Sequence, residues 1–510
     1  MAVRGVPPSP RTESLRMRLG LLSGGTWGCL FTLAAGAVST ATDQTSDRRV
    51  DGDWDEWAEG VYFYADERHV HLRFETPDER TLLRHGQAVV LAIDSDDNPR
   101  SGRVRGGVRG IDLLIELNPA RDRSRRGRTP SVRATAFDAR GDARELSTGD
   151  LGLHTAPTHA AKRFELRFDR AARPARGVSG LAKAGPLRAS VWLQDHDSQR
   201  TQPLGRYTAQ APEASRDDAS PAVAGLPDRW ATGGDAVRVV SWNTLWGSQI
   251  KDPKPFARLA QAMDADVYLL QEWSDKPYTA EEVAAWFQQN VGGGPWTAVT
   301  TRNGGDRGSG VAVASRYPLV EAGPQQLFAP GRTRWSFPVR FAGGVFQTPH
   351  GPAVFGTVHH KAGGRLGADE DQRRLDESAV IQKAMAGLAE KHPGALVVYG
   401  GDFNLNGSYA VMDRSVAGLD TDGSPLAVAE PAVLGKPGLL YTHGRGGSKR
   451  RLDYITYADA ALTVPSAFVV DTTVLPNATL EALGLNKNDS RASDHLPVVA
   501  DFVPLADAER

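Results

Sequence analysis

The amino-acid sequence predicts an all-β sandwich followed by a larger α/β (α+β) domain. Three observations support this prediction. At 510 residues the chain is longer than one ordinary domain. Short strand segments separated by glycine, proline and aspartate occupy residues 49–210. From residue 236 to 505, strand segments alternate with helical ones, and the stretch 211–235, rich in Ala, Pro, Ser, Gly and Asp, predicts a linker between the two domains.

The overall composition is that of a soluble globular protein, with 40% hydrophobic and 24% charged residues. The 60 basic and 61 acidic side chains nearly balance, so no global field attracts nucleic acid, although a local basic groove is compatible with this balance. Cys29 is the single cysteine. The sequence therefore excludes an intramolecular disulfide, and it excludes a thiol nucleophile or a cysteine-based zinc site in the body of the protein.

The N-terminal residues 1–41 are predicted to be an export signal. Two arginines flank Met17 ahead of the apolar stretch "LGLLSGGTWGCLFTLAAGA", which ends in a small-x-small triplet. Met17 is an alternative translation start. A membrane anchor and a lipoprotein at Cys29 are the other interpretations, but glycines and polar residues interrupt the stretch and Cys29 has a poor lead-in. We expect a secreted, periplasmic or cell-surface protein without an integral membrane span.

In the β-sandwich, the segment "VHLRF" at residues 70–74 has the clearest strand pattern. Val70, Leu72 and Phe74 alternate with polar residues, which is the period of a half-buried strand. Short strands at this spacing are typical of a sandwich. Further strands are predicted at 88–94, 111–117, 163–168 and 187–195.

In the α/β domain, helix signals separate the strands. Pro253 can begin a helix, Thr279 and Glu282 can form a capping box, and residues 369–391 carry apolar residues at helical spacing. Strands are predicted at 237–243, 266–273, 309–317, 336–342, 353–360, 396–401, 452–458 and 495–503.

Polar side chains stand at the ends of these strands. Each alone could satisfy a turn or a backbone group. Together they would crowd negative charge at one rim, which is unfavourable unless a cation or a substrate phosphate compensates it. The residues are Asn243, Glu272, His359, Asp402, Asn404, Asp453, Asp494 and His495.

The side-chain types in this set indicate a chemistry. Carboxylate and amide oxygens without thiolates suit Mg²⁺ or Mn²⁺. A histidine held by an aspartate can take a proton from water near neutral pH. The sequence lacks the G-x-S-x-G, H-E-x-x-H and G-x-x-x-x-G-K-[ST] motifs of three other site types. Metal-assisted hydrolysis of a phosphoester is the reaction that fits.

Six segments in order, "SWNTLW", "LLQEW", "VHHKAG", "GGDFN", "RLDYI" and "SDHLPVV", resemble the endonuclease/exonuclease/phosphatase (DNase I-like) superfamily over residues 236–505. The resemblance implies a four-layer α/β sandwich and a phosphodiesterase, with a nuclease favoured and nucleic acid as the substrate. Sphingomyelinase-like or phosphomonoesterase activity is the alternative within this fold. A non-catalytic surface-binding or carbohydrate-binding protein is the alternative of another class.

The resemblance also implies a role for each polar residue. Glu272 would be the principal metal ligand, with Asn243 and Asp494 in the same metal shell. Asp402 would position or activate the attacking water, and Asn404 would bind the scissile phosphate.

For the histidines, the resemblance implies that His495, paired with Asp453, is either the general base or a group that polarises the phosphate. His359 matches the histidine that assists the leaving group. Many relatives have leucine at the next position, where this chain has His360. Alternation along a strand places one of the two in the site, and the motif favours His359.

The loop "HGRGGSKRRLDY" precedes Asp453 and is rich in basic residues. One interpretation is a clamp on a phosphate-rich substrate, and the other is a solvated loop. The basic residues are Arg445, Lys449, Arg450 and Arg451.

The segments "VDGDWDEWAEG", "YADERHVHLRFET" and "LAIDSDDNPRSG" resemble family-9-type carbohydrate-binding or DOMON-like sandwiches. The resemblance implies a carbohydrate or surface ligand for this domain. Asp94, Asp96 and Asn98 have the spacing of Ca²⁺ ligands, but Pro99 and Arg105 stand where a calcium loop needs glycine and glutamate. A Ca²⁺ loop and an Asx-turn are the two interpretations.

Overall fold

The computed structural model describes residues 49–121, 130–149, 151–170, 181–215, 226–227, 236–301, 310–330, 337–444 and 449–505. The predicted export signal, most of the predicted linker and Arg445 lie outside these residues. Among the described residues, no helix combines the length and the apolarity needed to cross a bilayer.

Two antiparallel sheets form the N-terminal half. The strands are β1 (Phe63–Ala65), β2 (His69–Arg80), β3 (Gln87–Asp94), β4 (Arg103–Arg105), β5 (Val108–Ile111), β6 (Leu113–Leu117), β7 (Val132–Phe137), β8 (Ala143–Leu146), β9 (His154–Ala156), β10 (Ala161–Asp169), β11 (Gly185–Asp195) and β12 (Thr201–Ala211). One sheet has the order β1-β2-β10-β9 and the other β12-β11-β3-β6-β7-β8, while β4 and β5 form a separate hairpin.

The predicted all-β sandwich is confirmed by the way these sheets bury one core. Val70, Leu72 and Phe74, whose alternation predicts β2, are at most 1% exposed. They share the core with Leu91 of β3 and Ile115 of β6 from the opposite sheet. The two sheets therefore face each other through their apolar sides.

One predicted strand is divided in the structure. The segment 111–117 separates at Asp112 into the end of the β4–β5 hairpin and the sheet strand β6. The Asp112 carboxylate explains the division, because its Oδ2 accepts hydrogen bonds from the backbone N–H of Ser95 (2.8 Å) and from the Ser95 hydroxyl (2.6 Å). The predicted strand 111–117 was therefore two residues too long at its start, because Ile111 belongs to β5 and Asp112 to neither strand.

Two mixed sheets and a hairpin form the C-terminal half. The strands are β13 (Val237–Asn243), β14 (Val267–Gln271), β15 (Thr297–Thr300), β16 (Val311–Ser315), β17 (Leu319–Ala322), β18 (Leu327–Ala329), β19 (Phe337–Val339), β20 (Phe341–Thr348), β21 (Gly351–His359), β22 (Leu396–Asp402), β23 (Ala427–Val428), β24 (Ala432–Val433), β25 (Asp453–Tyr457), β26 (Leu462–Val469) and β27 (Val498–Pro504). The sheet orders are β15-β16-β14-β13-β27-β26-β24 and β17-β20-β21-β22-β25-β23, and β18 pairs with β19.

The predicted helix signals correspond to helices in the structure. The helices are α1 (Ser248–Lys251), α2 (Pro253–Met263), α3 (Ala280–Asn290), α4 (Asp369–Lys391), α5 (Ala410–Val416) and α6 (Asn477–Ala482), with a 3-10 helix at Asp489–Ala492. Pro253 is the first residue of α2. Thr279 caps α3, and Thr279 and Glu282 form the predicted capping box.

The two sheets and the helices build four layers, which confirms the predicted fold class. Val239 of one sheet and Phe355 of the other share the central core between the sheets. Phe256 of α2 belongs to the outer core on the first sheet, and Ile381 of α4 belongs to the outer core on the second sheet.

Strand pairing gathers the polar strand ends at one edge of the layers. β13 and β14 run parallel and both end there, since Asn243 is paired with Gln271. β21 and β22 also run parallel, with His359 paired with Asp402. β25 runs antiparallel to β22 and begins at the same edge, where Asp453 is paired with Asp402. The register therefore places residues from distant parts of the sequence side by side.

The β-sandwich contacts the α/β half directly, and both belong to one compact unit, Ala37–Arg510. The Ala160 N–H donates to the Gly407 carbonyl (2.8 Å) and the Arg451 N–H donates to the Thr158 hydroxyl (2.9 Å). These contacts lie on the loops that follow β22 and precede β25. The sandwich therefore rests on the edge that carries the polar cluster.

Candidate active site

Asp402 is the centre of the polar cluster. It is 1% exposed, and its Oδ2 accepts hydrogen bonds from the side-chain amides of Asn404 (3.0 Å) and Asn243 (3.2 Å). Its Oδ1 accepts from the Asn404 backbone N–H (2.9 Å). Burial, together with the charges of Asp453 and Glu272, raises the pKa of Asp402 to about 7, although His495 opposes the shift. A carboxyl with this pKa can exchange a proton near neutral pH.

Asp453 and His495 form a hydrogen-bonded pair beside Asp402. His495 Nδ1 donates to Asp453 Oδ2 (2.8 Å), and its Nε2 lies 3.7 Å from Asp402 Oδ2. The Thr442 hydroxyl also donates to Asp453 Oδ2 (2.6 Å). Burial lowers the pKa of His495, but Asp453 and Asp402 outweigh burial and raise this pKa to about 10. The imidazole is therefore a cation at neutral pH.

His359 lies on the other side of Asp402 and, unlike His495, is neutral. Its Nε2 is 3.5 Å from Asp402 Oδ2 and 3.7 Å from Glu272 Oε1. Arg340 Nη1 lies 3.3 Å from His359 Nδ1, and since a guanidinium can only donate, Nδ1 must be the acceptor. Burial and the charge of Arg340 hold the pKa of His359 well below its ordinary value. The neutral ring therefore carries its proton on Nε2, which points into the cluster.

The neighbouring His360 faces away from the cluster. It is fully buried against α4, where its Nδ1 lies 3.1 Å from Glu377 Oε2. Its backbone carbonyl accepts hydrogen bonds from Asn404 Nδ2 (3.2 Å) and Arg340 Nη2 (2.8 Å). Strand alternation thus gives the cluster one imidazole, His359, and gives the second imidazole to the core.

Glu272 and Asp494 lie at the more open side of the cluster. Glu272 has 13% and Asp494 36% of its side chain exposed. Glu272 adopts a left-handed backbone conformation (φ 52°), and its Oε2 accepts from the Trp246 N–H (3.0 Å). Asn243 Oδ1 accepts from the Leu245 N–H (3.0 Å). These side chains offer oxygen donors only, which fits a hard divalent cation.

A second set of residues that could hold a cation is Asp402, Asp453 and His495, whose ligand atoms lie within 4.8 Å of one another. In this set, His495 Nδ1 and Asp453 Oδ2 are already hydrogen-bonded to each other. Glu272 and Asp494 lie outside this set.

The predicted basic loop is divided by the structure. Arg450 turns to the cluster, where Nη1 donates to Asn406 Oδ1 (3.2 Å) and Nη2 lies 3.1 Å from His443 Nδ1. Lys449 lies over the ring of Tyr441, 3.7 Å from its centroid, and burial lowers the pKa of Lys449 to about 8.

Arg451 is directed to the opposite face of the loop. Its Nη1 donates to both carboxylate oxygens of Glu430 (3.0 and 2.8 Å), and its guanidinium lies over the ring of Tyr454. Arg445 lies outside the described residues. Of the described arginines and lysine in this loop, Arg450 alone borders the polar cluster, while Lys449 packs on Tyr441 and Arg451 pairs with Glu430.

Two neighbours of His495 and His359 were not among the residues predicted for the site. His443 packs edge-on against His495, with 4.7 Å between ring centroids, and Arg340 holds His359. Arg340 stands between β19 and β20, so the predicted strand 336–342 is interrupted there. An arginine inside an apolar strand segment was the available signal for Arg340.

In the sandwich, two of the three predicted Ca²⁺ ligands lie together. Asp94 and Asp96 converge with Asp112, each offering a carboxylate oxygen within 4.8 Å of the others. The Asn98 side chain instead accepts a hydrogen bond from the Arg100 N–H (3.1 Å), and the Asn98 N–H donates to Asp96 (3.1 Å). These two bonds are those of Asx-turns. The Ca²⁺ site stays a prediction.

Comparison with known proteins identifies the family to which the chain belongs. The model described as "Endonuclease/Exonuclease/phosphatase family" matches residues 240–495, half of the chain. No curated protein is similar enough in sequence to count as a relative.

Similar solved structures include the human Nocturnin catalytic domain with bound sulfate, at 17% identity, over 53% of this chain and 95% of that chain, with a TM-score of 0.38. An endonuclease/exonuclease/phosphatase family protein from Bacteroides thetaiotaomicron has 17% identity, 52% and 97% coverage and a TM-score of 0.36. Sphingomyelinase C from Streptomyces griseocarneus has 17% identity, 52% and 99% coverage and a TM-score of 0.33. Identities this low carry no information about substrate.

Proposed function

Since the chain belongs to the endonuclease/exonuclease/phosphatase family, we propose that it is a metal-dependent phosphodiesterase that uses water as the nucleophile. The observation that carries the proposal is the opposed pair of imidazoles around Asp402. His495 supplies a cation and His359 a neutral N–H, and both lie within 3.7 Å of one carboxylate oxygen. A phosphoryl group at this position would meet positive charge on one side and a hydrogen-bond donor on the other.

The side chains divide the reaction between them. Asp402 accepts a proton from the attacking water as the new P–O bond forms. The imidazolium of His495 binds the non-bridging oxygens, whose charge increases in the transition state. Asn404 joins it by turning one Nδ2–H from Asp402 or from the His360 carbonyl to the phosphate. His359 Nε2–H donates a hydrogen bond to the leaving oxygen, which solvent then protonates.

Glu272, with Asn243 and Asp494, would hold Mg²⁺ or Mn²⁺. The oxygen-only donor set and the partial exposure of both carboxylates support this assignment. The bound ion would neutralise charge on the phosphate. Nucleic acid is the substrate that we propose, and sphingomyelin or a phosphomonoester is the alternative that the same fold allows.

Hydrolysis of bis-p-nitrophenyl phosphate tests the proposal. We expect turnover with Mg²⁺ or Mn²⁺, none in EDTA, and a loss of kcat of about 10³-fold or more in Asp402→Asn. The matched control is Asp413→Asn, which changes an exposed aspartate on α5. Equal rates in Asp402→Asn and the control, or full activity in EDTA, would overturn the proposal. Plasmid DNA, RNA, sphingomyelin and inositol phosphates then rank the substrates.

A further inference from the structure

We infer that the β-sandwich forms part of the active site, with Thr81 positioning two catalytic loops and Arg84 binding a second phosphate of a nucleic-acid strand. This inference rests on the proposed function, because it concerns the substrate of the same site. It assigns a catalytic task to a domain that precedes the family match, which covers residues 240–495.

Thr81 follows β2 directly and reaches the α/β half. It is 2% exposed, and its hydroxyl donates to the Asn406 carbonyl (2.7 Å) and accepts from the Leu366 N–H (3.0 Å). Asn406 lies four residues after Asp402 on the loop that follows β22, and Leu366 lies on the loop that follows β21. One hydroxyl of the sandwich therefore joins the loops that leave both central catalytic strands.

The Thr81 contact continues to the phosphate-binding side chain. The Asn406 N–H and Nδ2 both donate to the Asn404 carbonyl (2.7 and 3.1 Å). Asn404 has a left-handed backbone conformation (φ 46°), which persists where its surroundings hold it. Because Thr81 fixes Asn406 and Asn406 fixes Asn404, the sandwich contributes to the orientation of the Asn404 amide.

The same two loops are held from the other side by Asp371 of α4. Its Oδ1 accepts from the Ser408 N–H (2.9 Å) and its Oδ2 from the Gly367 N–H (3.0 Å). The loops thus lie between a sandwich hydroxyl and a helix carboxylate, both buried. Removing Thr81 Oγ1 takes away one contact of these loops and leaves the Asp371 contacts, so we expect the fold to persist.

Arg84 is exposed and stands three residues after Thr81. It lines one cleft between the domains together with Thr81, Asn406 and Arg450. Its positive charge is close enough to lower the pKa of both Arg450 and His443. Two arginines from two domains therefore border the cleft that leads from Asn406.

The cleft has room for about one water molecule (≈ 10 Å³), so a phosphate would lie at its mouth, beside the exposed guanidinium of Arg84 and attracted also by the charge of Arg450. The catalytic cluster itself holds the scissile phosphate, so the mouth of the cleft suits a neighbouring phosphate on the same molecule. A nucleic-acid strand supplies such neighbours, whereas a small diester or a phosphocholine headgroup has one phosphate. The geometry thus favours nucleic acid over a lipid.

Arg84→Ala in the full chain tests the substrate class, with Arg206→Ala, an exposed arginine of β12, as the matched control. We expect kcat/KM on a single-stranded oligonucleotide to fall about tenfold, mainly through KM, and to fall at least about fivefold more than on bis-p-nitrophenyl phosphate. The slope of log(kcat/KM) against log[salt] should decrease by about 0.7. Equal losses on the two substrates, or the same salt slope as the control, would overturn the role of Arg84.

Thr81→Val, which replaces the hydroxyl by a methyl group of similar size, tests the positioning role. We expect kcat to fall about 10-fold to 100-fold on both substrates with little change in KM, and Thr81→Ser to restore it. A loss of thermal stability with unchanged kcat would show that Thr81 is only structural.

Oligonucleotide affinity measured in EDTA separates this inference from the proposed function. Weaker binding by Arg84→Ala than by Arg206→Ala supports the cleft even if hydrolysis is absent, while equal binding refutes it. Turnover of sphingomyelin with no turnover or binding of the oligonucleotide would leave the phosphodiesterase standing and overturn the nucleic-acid inference.

Discussion

The two imidazoles beside Asp402 are buried to a similar extent, yet one is charged and the other is neutral. His495 is 6% exposed and His359 is 4% exposed. Their Nε2 atoms lie 3.7 and 3.5 Å from the same Asp402 oxygen. Burial lowers the pKa of both rings, but Asp453 and Asp402 raise the pKa of His495 to about 10, whereas Arg340 lowers the pKa of His359 further.

The partner on the far side of each ring makes the difference. Asp453 accepts a hydrogen bond from His495 Nδ1–H, which favours the charged ring, while Arg340 donates a hydrogen bond to His359 Nδ1, which requires a lone pair there. Asp453 of β25 thus keeps one histidine charged, and Arg340 at the β19–β20 junction keeps the other neutral. In the reaction we propose, the first stabilises charge and the second donates a hydrogen bond. The partner at Nδ1, Asp453 or Arg340, therefore determines the charge of each ring more than its depth of burial does.

The largest effect should come from removing the charged member of the pair. We expect His495→Ala to lower kcat on bis-p-nitrophenyl phosphate about 10³-fold, and His359→Ala about 10²-fold, because the former loses a charge at the phosphate and the latter one neutral donor. His392→Ala, which pairs with Glu321, is the control. A larger loss in His359→Ala than in His495→Ala would reverse the comparison.

Asp453→Asn should change the pH dependence with a smaller loss of rate. The carboxylate raises the pKa of His495, so its removal lowers that pKa. The imidazolium is then lost at lower pH, and the alkaline limb of kcat/KM should move down by about one pH unit or more. At neutral pH we expect about a tenfold loss. Asp413→Asn should keep the wild-type profile.

An alkaline limb that stays in place, or that moves to higher pH, would mean that the charge of His495 does not control the reaction. Proton NMR of the imidazole in the resting protein measures the same pKa directly. A lower pKa in Asp453→Asn, together with an unchanged kcat/KM profile, would identify another group as the one that limits the reaction at high pH.

The sequence predicted the strand-end residues because each ends or begins a strand with a recognisable apolar pattern. In the structure, parallel pairing of β21 with β22 places Asp402 beside His359, and antiparallel pairing of β22 with β25 places it beside Asp453. Arg340 and Thr81 could not be predicted in the same way. Arg340 reaches His359 across neighbouring strands, and Thr81 contacts Asn406 across 325 residues of sequence.

Such contacts depend on how loops pack after the sheets have formed, and no local periodicity encodes them. The basic loop illustrates the same limit. Its composition is uniform, but Arg450 and Arg451 point to opposite sides, because Asn406 holds the first and Glu430 holds the second. Charge patterning identified the segment without showing which side chain faces the cluster.

The smallest effect on catalysis should come from His360, although it is adjacent to His359. Its ring contacts Glu377 in the core, while its backbone carbonyl, which holds Asn404 and Arg340, survives substitution. We expect His360→Ala to lower the free energy of unfolding by about 3 kcal/mol, because a buried carboxylate loses a partner, and to change kcat by less than about tenfold. Denaturant unfolding and bis-p-nitrophenyl phosphate turnover measure the two quantities. A loss of kcat as large as that of His359→Ala, with unfolding unchanged, would place the second imidazole in the chemistry and contradict the division that strand alternation makes between these neighbours.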